Sequence, residues 1–314
     1  MVQMPTVRFG KYLLVDEIGG LAIAHPQSEG GGAVALPDSL AICRWPVGSI
    51  DPQCGPDCDC LECPPGNPQF HRRCAELLPQ LPFPVHPNLI RLFAIGRIED
   101  WYFVALQLVR GVQLGWPARQ GALLPIPLAI YIAAEVARGL AALHALPPKS
   151  QPGLVHANLS PAAILLTADG QVIVSSLIRS PVLKGNIDWL TPDQLHDAPC
   201  DPRTDLFALG MVLYTLLTGQ HIIADDARGG AQHGELLSQF TATPPSTLRR
   251  DVPPQLDRIV MRALARPLAQ RYPDAVTLER ELRQVLAAVA PRFAQSDLAQ
   301  YLQPLDLPLH PAMP

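Results

Sequence analysis

From Ile126 to Leu146 the chain reads I-P-L-A-I-Y-I-A-A-E-V-A-R-G-L-A-A-L-H-A-L, its longest apolar stretch, interrupted only by Glu135, Arg138 and His144. The apolar residues recur with helical period, and three polar side chains inside one span argue against a bilayer crossing, so the stretch predicts a helix buried in a protein core. A chain of 314 residues is long enough to build that core. The rest of the composition limits what the domain can bind. A net charge of -4 gives no electrostatic case for nucleic acid or an anionic membrane. Charged residues make up 17% of the chain, below the ~25% usual for soluble domains. With that low charge and a positive mean hydropathy of +0.15, more apolar surface is expected than a solitary monomer carries, and hence a protein partner or a homo-oligomer. Met1 to Gly10 lacks the apolar core of a signal peptide, so the expected compartment is the cytoplasm.

Four of the seven cysteines, Cys54, Cys58, Cys60 and Cys63, crowd into the run from residue 51 to 64, D-P-Q-C-G-P-D-C-D-C-L-E-C-P. In a reducing compartment such a cluster reads more as a metal site than as a disulfide framework, and four thiolates suit tetrahedral Zn²⁺. Zinc would staple a Pro/Gly-rich loop that has no core of its own. The ligands lie closer together than in two separated C-x-x-C knuckles, and a disulfide or redox role and free thiols are the alternatives.

Several ordered motifs carry the main expectation. Val155–Leu166 reads V-H-A-N-L-S-P-A-A-I-L-L, Val172–Ile178 reads V-I-V-S-S-L-I, and Trp189–Leu195 reads W-L-T-P-D-Q-L. Asp201–Gly210 reads D-P-R-T-D-L-F-A-L-G, and Pro254–Leu264 and Ala265–Tyr272 follow it. Earlier in the chain come Phe9–Gly19, Leu40–Arg44 (L-A-I-C-R), the H-P-N-L-I run from His86, and Tyr102–Val109. In this order and spacing the chain resembles the bacterial Ser/Thr protein kinases over roughly residues 9 to 290. The first three motifs stand where that family has the catalytic loop H-R-D-L-K-P-x-N, a strand running into D-F-G, and the A-P-E end of the activation segment. Asp201–Gly210 resembles the start of the family's central buried helix, and the last two runs resemble its closing helices.

The resemblance implies an α+β fold of two lobes, a small β-rich one and a larger helical one. The expected divisions are a leader over 1–8, the small lobe over 9–107 with its Cys-rich insertion at 51–64, the helical lobe over 108–290 and a tail over 291–314. Phe293, Leu298, Tyr301, Leu302 and Leu305 share roughly one helical face of that tail, which is expected to pack back on its own lobe or to dock on another protein.

Against the family pattern the chemistry-bearing positions differ. The phosphate-binding Lys is Cys43, the proton-accepting Asp is Asn158, and the loop Lys is Ser160. The two metal-binding positions are Ala163 and Ser176. Lys11, Lys149 and Lys184 are the only lysines, and none lies in a strand-like run before the H-P-N-L-I segment. The expectation is therefore a catalytically degenerate member, a pseudokinase: not an enzyme, with no ATP or Mg²⁺ and with zinc as its candidate ligand. It would act as a protein-binding scaffold or as an allosteric or structural subunit in bacterial signalling. A metal-independent nucleotide sensor and an atypical transferase using the same cleft are the alternatives. Residues with structural roles in the family would be Glu76 on the regulatory helix, His156 supporting the loop, Asp205 holding its backbone, and Asp193 paired with Arg271.

Overall fold

The computed structural model describes residues 7–9, 12–18, 21–26, 40–46, 85–99, 101–115, 123–145, 154–175, 189–195, 201–222 and 242–303. Six strands, β1 (Val7–Phe9), β2 (Tyr12–Ile18), β3 (Leu21–Pro26), β4 (Leu40–Pro46), β5 (Leu92–Ile98) and β6 (Trp101–Gln107), form one antiparallel sheet. Its order is β1-β2-β3-β4-β6-β5. The two-residue period of strands decides which side chains meet. Leu14 lies opposite Ala24 and Ile42 opposite Ala105, and with Leu40 and Phe103 they make the small core of this lobe. Ile18 pairs with Leu21 at the end of the β2–β3 register.

A second sheet of three short strands, β7 (Gly111–Gln113), β8 (Ile164–Thr167) and β9 (Val172–Val174), lies against the helices. These are α1 (Ile126–His144), α2 (Pro192–Leu195), α3 (Pro202–Thr218), α4 (Pro245–Leu248), α5 (Pro254–Ala263), α6 (Ala275–Val289) and α7 (Gln295–Leu302). The chain thus has the β-rich lobe and the larger helical lobe that the resemblance implies. By length and composition α1 could cross a membrane, but it packs against α3, α6 and β9 with 14 of its 19 residues buried. Asp201 caps α3 by accepting from the Arg203 N–H, and Gly219, at φ 72°, ends it in the left-handed conformation that glycine adopts without strain.

One expected helix is absent. Ala265–Tyr272 is a turn containing a short 3₁₀ segment, Leu268–Gln270, because Pro267 and Pro273 interrupt helical hydrogen bonding on either side. The closing helix is α6, which begins at Ala275 behind the cap of Asp274.

The start of the tail packs back on the helical lobe. Leu298 and Leu302 of α7 are fully buried in the main core, and Phe293 packs at a tilt against Tyr131 with centroids 5.3 Å apart. Gln295 Nε2 donates to the Asp169 carbonyl at 2.8 Å, and Gly170 (φ 81°) lies beneath that contact. A Cβ on Gly170 would sit 2.2 Å from the Gln295 carbonyl oxygen. Gly170→Ala should therefore cost about 1–3 kcal/mol of stability in urea unfolding, from backbone strain and displaced packing together. It should also speed proteolytic cleavage around residues 290–303 well before global unfolding.

Candidate functional site

The candidate site is the segment Leu154–Ala163, which carries no regular structure until a 3₁₀ turn at Pro161–Ala163. Its backbone is held from below by Asp205, one turn into α3 and 1% exposed. One carboxylate oxygen, Oδ2, accepts the His156 N–H at 2.8 Å, and Oδ1 accepts the Ala157 N–H at 2.8 Å. Oδ2 also accepts from His144 Nε2 at 2.8 Å, which reaches across from the last turn of α1. Ala157 has φ 55°, a left-handed conformation that a residue with a Cβ holds only where its surroundings over-determine it. Gln194 Nε2 supplies a further restraint by donating to the Ala157 carbonyl at 2.6 Å from α2.

His156 is buried beneath this loop, and its tautomer follows from its partners. Nε2 faces the Ser175 carbonyl at 2.7 Å and must donate. The other nitrogen, Nδ1, accepts the Asn158 N–H at 3.2 Å, so the ring is neutral. Burial pushes the imidazole below its ordinary 6.5, against the pull of the Asp205 carboxylate and the Ser175 carbonyl. The Ser175 N–H and hydroxyl both donate to the Ala163 carbonyl, tying the end of β9 to the end of the loop.

Arg271 forms the second anchor, with a fully buried side chain. Its Nη1 and Nη2 donate to Asp193 at 2.6 and 3.2 Å. Further donations reach the carbonyls of Ala265, Arg266 and Arg203, and the guanidinium lies 4.7 Å from the Phe207 ring centroid. This demand for carbonyl acceptors is a further reason why the chain at 265–272 is a turn, since an α-helix would engage those carbonyls itself.

A third polar hub was not singled out from the sequence as a site. Glu135 on α1, 5% exposed, accepts from Asn88 Nδ2 at 2.7 Å and from Arg138 at 2.6 Å, and it pairs with Arg283 of α6. Asn88 in turn donates to the Val172 carbonyl, joining the turn before β5 to β9. The signal for this hub, and for His144, was the three polar residues in the apolar run, because a buried polar group needs a partner. Glu135 and His144 are nine residues apart, about two and a half helical turns, which sends them to opposite sides of α1.

Of the remaining singled-out residues, Asn158 is half-buried, and Ser160 and Ala163 are buried at 2% and 1% exposure. Cys43 stands on β4 opposite Val104. Glu76, Ser176 and the four clustered cysteines, Cys54, Cys58, Cys60 and Cys63, lie outside the described residues.

A β-rich lobe above a helical lobe, with a loop pinned by a helix-borne carboxylate and a turn pinned by a buried Arg–Asp pair, defines a protein of the kinase-like class. The chain belongs to the protein kinase domain family, whose model matches residues 71–281. It is similar to the tyrosine-protein kinase MasK of Myxococcus xanthus, 31% identical over 207 residues, covering 60% of this chain and 32% of MasK. It is also similar to the serine/threonine-protein kinase PknL of Mycobacterium tuberculosis, at 28% over 213 residues, covering 64% of this chain and 51% of PknL. The chain thus spans about a third to a half of the length of these curated relatives. Among solved structures, the Mycobacterium tuberculosis PknI kinase domain superposes with a TM-score of 0.63 at 20% identity, covering 89% of this chain and 98% of that domain.

These relationships correct two expectations. The expectation that the chain is not an enzyme is overturned by its membership of a kinase family and by curated relatives that carry kinase names. The expectation of zinc in place of ATP and Mg²⁺ is overturned as well, since protein kinases use ATP with Mg²⁺. Among the described residues no group of three or more His, Cys, Asp or Glu is placed to hold a metal ion. The donor set does not fit Mg²⁺ in the family's manner, however. Ala163 presents a methyl group with its carbonyl already taken by Ser175, and the second metal-binding position holds Ser176 in the sequence, a hydroxyl where the family has a carboxylate.

Two outcomes test the geometry of the loop and its anchor. Arg271→Ala should cost about 3–5 kcal/mol, as removing one member of a buried pair does, measured by denaturant unfolding. For His156, the folded state holds the ring below its unfolded value of 6.5. Its contribution is complete above about pH 6.5 and is lost as pH falls below that value, with a slope of up to ~1.4 kcal/mol per pH unit. Urea midpoints between about pH 8 and pH 5 should show this fall, and His156→Gln should flatten it.

Proposed function

We propose that this chain is a module of the bacterial Ser/Thr branch of the kinase family that works by holding a protein partner, or a second copy of itself, on its framework. The observation that supports this reading is a contrast within one loop. Among the described residues the contacts that shape the loop are in place, from Asp205 to the His156 and Ala157 N–H groups, from Gln194 to Ala157, and from Ser175 to Ala163. The positions that would meet a proton and a metal hold Asn158 and Ala163 instead. A rigid lobe can present a binding surface whatever its loop carries, and the low charge content fits a surface that a partner covers.

The second reading is an ATP-dependent transferase using the same cleft, and the kinase names of MasK and PknL favour it. Any transfer here would have to be carried by groups other than the family's Asp and Asn. A cytoplasmic location is proposed with either reading.

Two measurements on the full chain separate them. The first is size-exclusion chromatography with light scattering of the protein isolated under native conditions; the binding reading expects a defined complex or oligomer well above 34.0 kDa. The second is phosphoryl transfer from Mg·ATP to the protein itself and to generic acceptors. A free monomer that transfers phosphate overturns the binding reading in favour of the transferase.

A further inference from the structure

Away from the loop, where the two sheets meet, a groove of about 450 Å³ opens at the surface. The sheets are joined there by Leu89 and Val174 in a parallel bridge, by the Ile90 N–H to the Val174 carbonyl at 2.9 Å, and by the Val174 N–H to the Asn88 carbonyl at 2.8 Å. The groove is thus built on hydrogen-bonded backbone from both lobes. Its volume falls within the ~300–1,000 Å³ of ligand pockets. None of residues 154–163 lines it, so it is distinct from the candidate site above.

Its floor is apolar, formed by Leu89 and Ile173, both buried, with Phe93 and Leu108 alongside. Its polar groups are one guanidinium, one imidazole and two amides. Arg91 is exposed, with its guanidinium 4.9 Å from the Phe93 ring centroid, and Gln107 and Gln171 contribute amides. His86 accepts the Asn88 N–H through Nδ1, which leaves the proton on Nε2. Among the described residues that line the groove there is no carboxylate; Asp169, close by, accepts from Gln171. Among the described lining residues the one charged side chain is therefore Arg91, a cation over an apolar base. Val85, 75% exposed, stands at its edge.

We infer that this groove takes a short extended segment of a partner protein in which a carboxylate is flanked by aliphatic side chains. The carboxylate pairs with Arg91, and the aliphatic groups cover Leu89 and Ile173. A guanidinium stacked on an aromatic ring is already positioned, so less freedom is lost when it takes up a carboxylate. The inference rests on the protein-binding reading and names the surface and the chemistry of the partner.

The test pans a displayed library of random dodecapeptides on the full chain and measures the selected peptides by fluorescence anisotropy. Peptides with an acidic residue between aliphatic ones should be enriched. Arg91→Glu should weaken them at least tenfold, and Val85→Asp should weaken them in the same direction. A peptide with its acid changed to Lys should regain affinity for Arg91→Glu. Equal melting temperatures would show that both variants keep the fold. Enrichment of no such family, or peptides that bind the wild type and both variants alike, overturns the groove. A native complex that survives Arg91→Glu also overturns the groove but leaves the protein-binding reading standing. Absence of any complex from wild type and variant alike overturns that reading itself.

Discussion

The helical lobe depends on one buried carboxylate. Asp205 is almost inaccessible to water, and a buried charge without partners would cost several kcal/mol. It is held by two loop N–H groups and one imidazole, each at 2.8 Å. Because all three donors must converge on one small group, α1, α3 and the loop are fixed relative to each other, and Ala157 is held in its left-handed conformation. The other contacts of the loop follow from that placement. His156 can reach Ser175, Ser175 can reach Ala163, and Gln194 can close over the Ala157 carbonyl.

Arg271 and Glu135 extend the same logic to the rest of the lobe. Arg271 spends its donors on one carboxylate and three carbonyls, drawing α2, the start of α3 and the 265–272 turn onto one guanidinium. Glu135 gathers Asn88, Arg138 and Arg283, and so joins α1, α6 and the turn before β5. Each hub is costly to break where the member left behind is buried: Glu135 without its arginines, or Arg271 without Asp193, would be a buried charge without its partner. The network therefore makes a lobe of defined shape, with Asn158 and Ala163 on a loop held by these bonds. Protein kinases as a family use ATP with Mg²⁺, and at the two corresponding loop positions this chain has an amide, Asn158, and a methyl group, Ala163.

Much of the framework was legible from the residues. The apolar period of Ile126–Leu146 marked α1, the strand-like runs marked β4 and β6, and the motif order implied two lobes. Asp205 and the facing of Asp193 towards Arg271 came from the resemblance alone. The turn at 265–272 was misread as a helix, although Pro267 and Pro273 in the same sequence oppose one. His144, Gln194 and the Glu135 hub were missed as a group, because a polar residue in sequence shows that a partner is needed without showing which one.

The sequence by itself determined most element types and the identity of every group at positions 43, 158, 163 and 176, because propensity, period and side-chain chemistry are local properties, while the two-lobe plan came from the family resemblance of its ordered motifs. Only the tertiary structure decided which distant groups meet. It turned the Oδ atoms of Asp205 to two specific N–H groups, chose the His156 tautomer by setting Ser175 and Asn158 on opposite sides of the ring, and opened a groove carrying Arg91 where the two sheets join. The physical reason is that a hydrogen bond is decided by distance and direction to within a few tenths of an ångström. Residues 49 positions apart, such as His156 and Asp205, acquire such a relation only through packing of the whole lobe.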